Sequence, residues 1–70
     1  MRNWIETESD GWLSARDVIS LFTKQFSEDG RWAVMGETKQ GYPSVIKTHP
    51  NEGSAKEHLR HLIEYLEGDI

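Results

Sequence analysis

Three features of this chain predict an α+β fold, in which an antiparallel β-meander of three to five strands packs on one C-terminal amphipathic helix. The first is the recurrence of Ala55, Leu59, Leu62, Ile63 and Leu66 at a spacing that puts them on one side of a helix. The second is a series of β-branched and aromatic segments between Val18 and Thr48. The third is the position of Asp10-Gly11, Asp29-Gly30 and Gln40-Gly41, glycine-containing pairs that separate those segments where turns belong.

Composition bounds the rest. At 70 residues the chain is expected to be a single domain, 1–70, near the lower size at which one hydrophobic core suffices without a staple. It has no cysteine, which excludes a disulfide framework and a thiolate zinc site and accords with a reducing compartment. The apolar runs are short, and Met1-Arg2-Asn3-Trp4-Ile5-Glu6 lacks the apolar core of a secretory signal, so a cytoplasmic protein without membrane association is expected. Net charge is −4, and the eight basic residues are scattered singly along the chain. That distribution leaves no electrostatic footprint for nucleic acid.

From the N-terminus, Trp4 and Ile5 lead to Ser9-Asp10-Gly11, a hairpin signal, so residues 2–7 and 11–14 read as short paired strands. The stretch from Ser14 to Phe26 supports two readings. As a helix it would be capped by Ser14-x-x-Asp17 and would put Ala15, Val18, Ile19, Phe22 and Phe26 on one side; as a strand it would start near Val18. The next segment of the chain favours the strand. Arg31-Trp32-Ala33-Val34-Met35 is β-rich and is entered directly from Glu28-Asp29-Gly30, whose glycine suits the left-handed position of a bulged hairpin, and a hairpin needs a strand on its other side. Residues 18–26 should therefore pair with 31–37, with Gln25 opposite Trp32.

Thr38-Lys39-Gln40-Gly41 makes the next turn, and residues 42–48 a further strand. Pro43 lacks an N–H and belongs on a sheet edge or at the strand's start. Pro50 keeps His49 extended before the final helix. That helix runs from Ser54 to about Leu66, with Ser54-x-x-Glu57 as a capping box, Asn51 as a competing cap and Gly68 as the stop; Lys56, Glu57, Arg60, Glu64 and Glu67 fall on its polar side.

Trp4 near the start, Leu13-Ser14-Ala15-Arg16-Asp17-Val18 leading into a strand, Gly30-Arg31-Trp32-Ala33-Val34 in the next, and Ala55-x-x-x-Leu59-x-x-Leu62-Ile63-x-x-Leu66 in the helix together resemble a group of small uncharacterised bacterial and phage proteins. The resemblance implies the meander-then-helix fold and carries no activity with it. The acidic run usual before the helix alanine is Asn51-Glu52-Gly53-Ser54 here, so the start of the helix stays open.

No constellation carries recognisable chemistry. His58 and His61 are three apart on the helix and His49 could be brought near, yet neither a cysteine nor a suitably placed carboxylate completes a ligand set, and surface histidines explain them better. The glycines are spaced as turns, not as a phosphate-binding loop, and no serine sits in a nucleophile context. Catalytic, cofactor-binding and metal-binding residues are therefore expected to be none, and the protein is expected not to be an enzyme. Of Trp4, Trp12 and Trp32, at least two should serve the core, Trp32 first.

The strands carry apolar residues on both faces, while one helix covers only one. With Gln25 opposite Trp32, the helix should take Ile19, Leu21, Trp32 and Val34, leaving Phe22, Phe26 and Met35 outward as an interface. The expected function is a small non-enzymatic interaction module, self-associating or binding another protein. The competing reading is a nucleic-acid-binding domain that lays a three-stranded sheet in the major groove, as small phage integrase domains do; the acidic balance opposes it.

Overall fold

The computed structural model describes residues 4–8, 11–25, 28 and 30–67, and it has the expected architecture. In chain order the elements are β1 (Trp4–Glu6), β2 (Trp12–Ser14), a single 3-10 turn (Ala15–Asp17), β3 (Val18–Gln25), β4 (Trp32–Thr38), β5 (Pro43–His49) and α1 (Glu52–Glu67). β1 and β2 form a two-stranded antiparallel hairpin; β3, β4 and β5 form a three-stranded antiparallel sheet in that order, with α1 packed on one face. The ambiguous stretch is the favoured strand, Val18–Gln25, preceded by a single 3-10 turn. Ser14 caps one 3-10 turn by accepting from the Arg16 N–H at 3.3 Å, and the chain then enters β3 at Val18.

Gln25 pairs with Trp32 as expected, and the register continues through Thr23 with Val34, Phe22 with Met35 and Leu21 with Gly36. Gly30 holds a φ of +91°, a conformation glycine adopts without strain, at the entry to β4. β5 lies at a sheet edge and Pro43 is its first residue, so the missing N–H costs nothing in the ladder.

The helix begins earlier than the capping box implied. Asn51 is the cap: its Oδ1 accepts from the Ser54 N–H at 2.8 Å, and Ser54 sits inside the first turn. Glu52 then occupies the first turn, where a carboxylate complements the helix dipole, and pairs with Lys56 at 2.9 Å. The expected stop, Gly68, lies outside the described residues. Lys56, Glu57, Arg60, Glu64 and Glu67 are all exposed, with Arg60 bridging Glu57 and Glu64. On the other side Ala55 and Leu62 are buried and Leu59 and Leu66 pack against the core, while Ile63 at the margin of the stripe is exposed.

The core consists of Ile5, Val34, Ile46, Ala55 and Leu62, flanked by Leu13, Val18, Leu21, Trp32, Leu59 and Leu66. Three of the four sheet residues expected under the helix are there. Ile19 is not: the register slips between Val18 and Ser20, so Val18 takes the helix side and the extra residue, Ile19, is left 60% exposed. A second slip, between the pairs Val34–Lys47 and Met35–Val45, leaves Ile46 without a partner across the ladder, and its side chain is buried in the core. Gly36 makes room for it, since a Cβ there would stand 3.2 Å from Ile46 Cδ1.

The hairpin packs into the same layer as the helix. Ile5 and Leu13, partners across it, face the core. The Thr7 N–H and hydroxyl both donate to the Gly11 carbonyl, at 2.6 and 2.7 Å, and the Glu8 N–H donates to the Val45 carbonyl at 3.0 Å. Glu8 Oε2 accepts from the Thr48 N–H at 2.8 Å, so one side chain satisfies a donor on the open edge of β5. These bonds hold the Glu8 carboxyl below the ordinary carboxylate range, with Lys47 and His49 adding positive charge nearby. A carboxylate whose folded pKa is depressed contributes stability that is present above its unfolded value, 4.5, and is lost as pH falls through the folded one. Glu8→Gln should accordingly flatten part of the fall in urea midpoint below pH 4.5, and an unchanged acid limb would mean the Glu8–Thr48 bond contributes nothing.

Candidate functional site

Strand alternation decides what the hairpin exposes. Because Ile5 and Leu13 point inward, Trp4, Glu6, Trp12 and Ser14 share its other face. Trp4 is 55% exposed and Trp12 61%. Only Trp32 packs against the core, so the expectation that at least two tryptophans serve it is corrected. The alternation of Trp4 with Ile5 and Trp12 with Leu13 carried this signal in the sequence, because one pair or the other had to face out.

The tryptophans stand at one side of an open cleft of about 650 Å³ between the hairpin and α1. Its opposite wall is helical, with His58, His61 and Tyr65 at successive turns, and Ile46 and Leu62 border it from the core. Lys47 joins from β5 because it pairs with Val34, whose side chain is under the helix. The cleft is thus aromatic on two walls, with one lysine and two imidazoles, and Glu6 and Glu8 as the acidic groups.

The same register places His49 opposite Trp32, also on the helix side, and this brings it to His58 across the junction of β5 and α1. His49 Nε2 and His58 Nδ1 are 2.8 Å apart, and the rings meet edge to face at 71° with centroids 4.9 Å apart. Burial holds the His58 pKa below its ordinary value, and the positive charges of His49, Lys47 and His61 lower it further. His61 is exposed, 3.2 Å from Glu57 Oε1. Spacing along the chain allows an approach of His49 without favouring it; the register of β5 makes it a direct contact. Among the described residues no three histidines, cysteines or carboxylates gather as a metal-ion ligand set.

Phe22 and Met35, two of the residues expected to form the interface, lie elsewhere. Phe22, Met35 and Val45 form one row across the sheet face away from the helix, and Lys24, Ala33 and Thr48 form the next. Met35 is only 6% exposed and Phe22 is half-buried, while Phe26 lies outside the described residues. Met35 does look away from the helix as expected, yet it is not exposed: a central-strand side chain flanked on both sides by cross-strand neighbours is screened by them even where no helix covers it. The hairpin does not cover this face, since its inward residues Ile5 and Leu13 join the helix-side core.

Compared with known protein families, curated proteins and solved structures, the chain matches none. No helix among the described residues is long and apolar enough to cross a membrane.

Proposed function

We propose that this protein is a small non-enzymatic interaction module that self-associates through the aromatic cleft between the hairpin and α1. The observation that carries this reading is the outward pair Trp4 and Trp12 facing Tyr65, three large aromatics exposed around one concavity. Neither tryptophan is needed to complete the core, and aromatic side chains are the groups that most often anchor interfaces. A second copy is the partner always present, and a two-fold arrangement would set the aromatic walls of two clefts against one another. The acidic and basic groups at the cleft, Glu6 and Glu8 with Lys47, provide both signs of charge for self-complementary pairing. The groove-binding reading gains no support, because the sheet face free of the helix carries Lys24 as its basic residue among the described strand positions.

Sedimentation over a concentration series tests the proposal. Wild type should shift from monomer towards dimer, and Trp12→Ala should abolish the shift, as loss of an interface anchor worth about 2 kcal/mol weakens association roughly 30-fold. Being exposed, Trp12 should cost no more than about 0.5 kcal/mol of stability when truncated. A wild type that remains monomeric into the high micromolar range would overturn self-association.

A further inference from the structure

We propose that His49 and His58 form a one-proton clasp between the end of β5 and the first half of α1, closed while at least one of the two rings is neutral and opened when both are charged. Two ring nitrogens 2.8 Å apart can hold a hydrogen bond only if one donates and the other offers a lone pair. With both nitrogens protonated the N–H groups point at each other and the contact becomes repulsive. A single added proton is compatible with the clasp, because a charged ring still donates to a neutral one. The second is not.

The surroundings favour this limit of one charge. Lys47 on β5 and His61 on α1 act on His58 with the same sign as His49, and His58 is half-buried, so its charged form is poorly solvated. The acidic groups lie to either side of the contact. Glu8, in the segment after β1, interacts with His49 while its Oε2 accepts from the Thr48 N–H, and Glu57 on α1 is engaged by Arg60 and His61. Glu6 borders the cleft that His58 also lines. A counter-charge is therefore at hand for His49, while the groups acting on His58 are positive.

A histidine whose folded pKa lies below its unfolded value, 6.5, costs nothing at higher pH and destabilises the fold progressively as pH falls through 6.5 towards the folded pKa. This window lies above the one assigned to Glu8, so the two are separable.

Histidine ring NMR and urea unfolding of the full chain between pH 8 and pH 5, with chelator present, test the clasp. In wild type the His49 and His58 rings should titrate as a coupled pair, each curve spread over two steps. His58→Gln should collapse the His49 curve to a single step and remove most of the fall in urea midpoint between pH 7 and pH 5. If His58→Gln does not fold, His49→Gln supplies the same test from the strand side, read on His58. A His49 curve unaltered by His58→Gln, or a fall in midpoint that persists in both variants, would overturn the clasp. No second copy takes part below the association range, so failure of the aromatic cleft to self-associate would leave this result intact.

Discussion

Leu62→Ala is expected to cost about 2–5 kcal/mol of folding stability, the range for a cavity left by a large aliphatic side chain in a packed core. Leu62 is 8% exposed and meets Ile5, Val34, Ile46 and Ala55 in one cluster, with residues from hairpin, sheet and helix around it. No single element can relax into the space it vacates without leaving the others. A domain of this size has a total stability of only about 5–15 kcal/mol, and at the lower end of that range the variant would be largely unfolded. Glu64→Ala, two positions along and exposed, should change stability by no more than about 0.5 kcal/mol, since its pairing with Arg60 is a surface ion pair. Urea unfolding of both decides it: equal losses would mean that the helix presents a different face to the sheet.

Ile5→Ala should be nearly as damaging, again by about 2–5 kcal/mol, although Ile5 belongs to a three-residue strand near one end of the chain. A two-stranded hairpin is marginal in water by itself, so it must draw its order from what it packs on. Here Ile5 is 3% exposed and part of the central cluster, and its partner Leu13 packs against the same cluster. Loss of Ile5 should therefore release the hairpin and expose Leu62 and Ile46, with a larger fall in stability than Trp4→Ala one residue away. A small effect from Ile5→Ala, comparable with that of Trp4→Ala, would make the hairpin an appendage of the sheet and would also remove the fixed wall on which the aromatic cleft depends.

The structural features behind these two effects are unequally legible in the sequence. The leucine stripe of α1 and its charged opposite side come from spacing alone, because a helix of 3.6 residues per turn admits only one such arrangement. The pairing of Gln25 with Trp32 is equally readable, since a short glycine-containing loop leaves little freedom in the register of the strands it joins. The N-cap is less so. Asn51 and Ser54 both have the required side chain, and the choice falls to Asn51, whose Oδ1 reaches the Ser54 N–H, with Glu52 and Gly53 already in the first turn.

The candidate site is hardly legible at all. Alternation puts Phe22, Phe26 and Met35 opposite the helix, but exposure on a sheet depends on the neighbouring strands as well, and Met35 is enclosed between Phe22 and Val45. The histidine pair depends on Trp32 and His49 being cross-strand neighbours and on α1 returning over that pair.

By itself, then, the sequence determined the kinds of element, their order, the pairing of Gln25 with Trp32 and the two sides of the helix, all of which rest on periodicity and short-range turn chemistry. The tertiary structure alone decided that the tryptophans of the hairpin face outward, that Val18 displaces Ile19 from the core, and that His49 meets His58. Alternation along a strand defines two faces without saying which is buried, and a one-residue slip exchanges them; only the packing of hairpin, sheet and helix around a common core selects between the two.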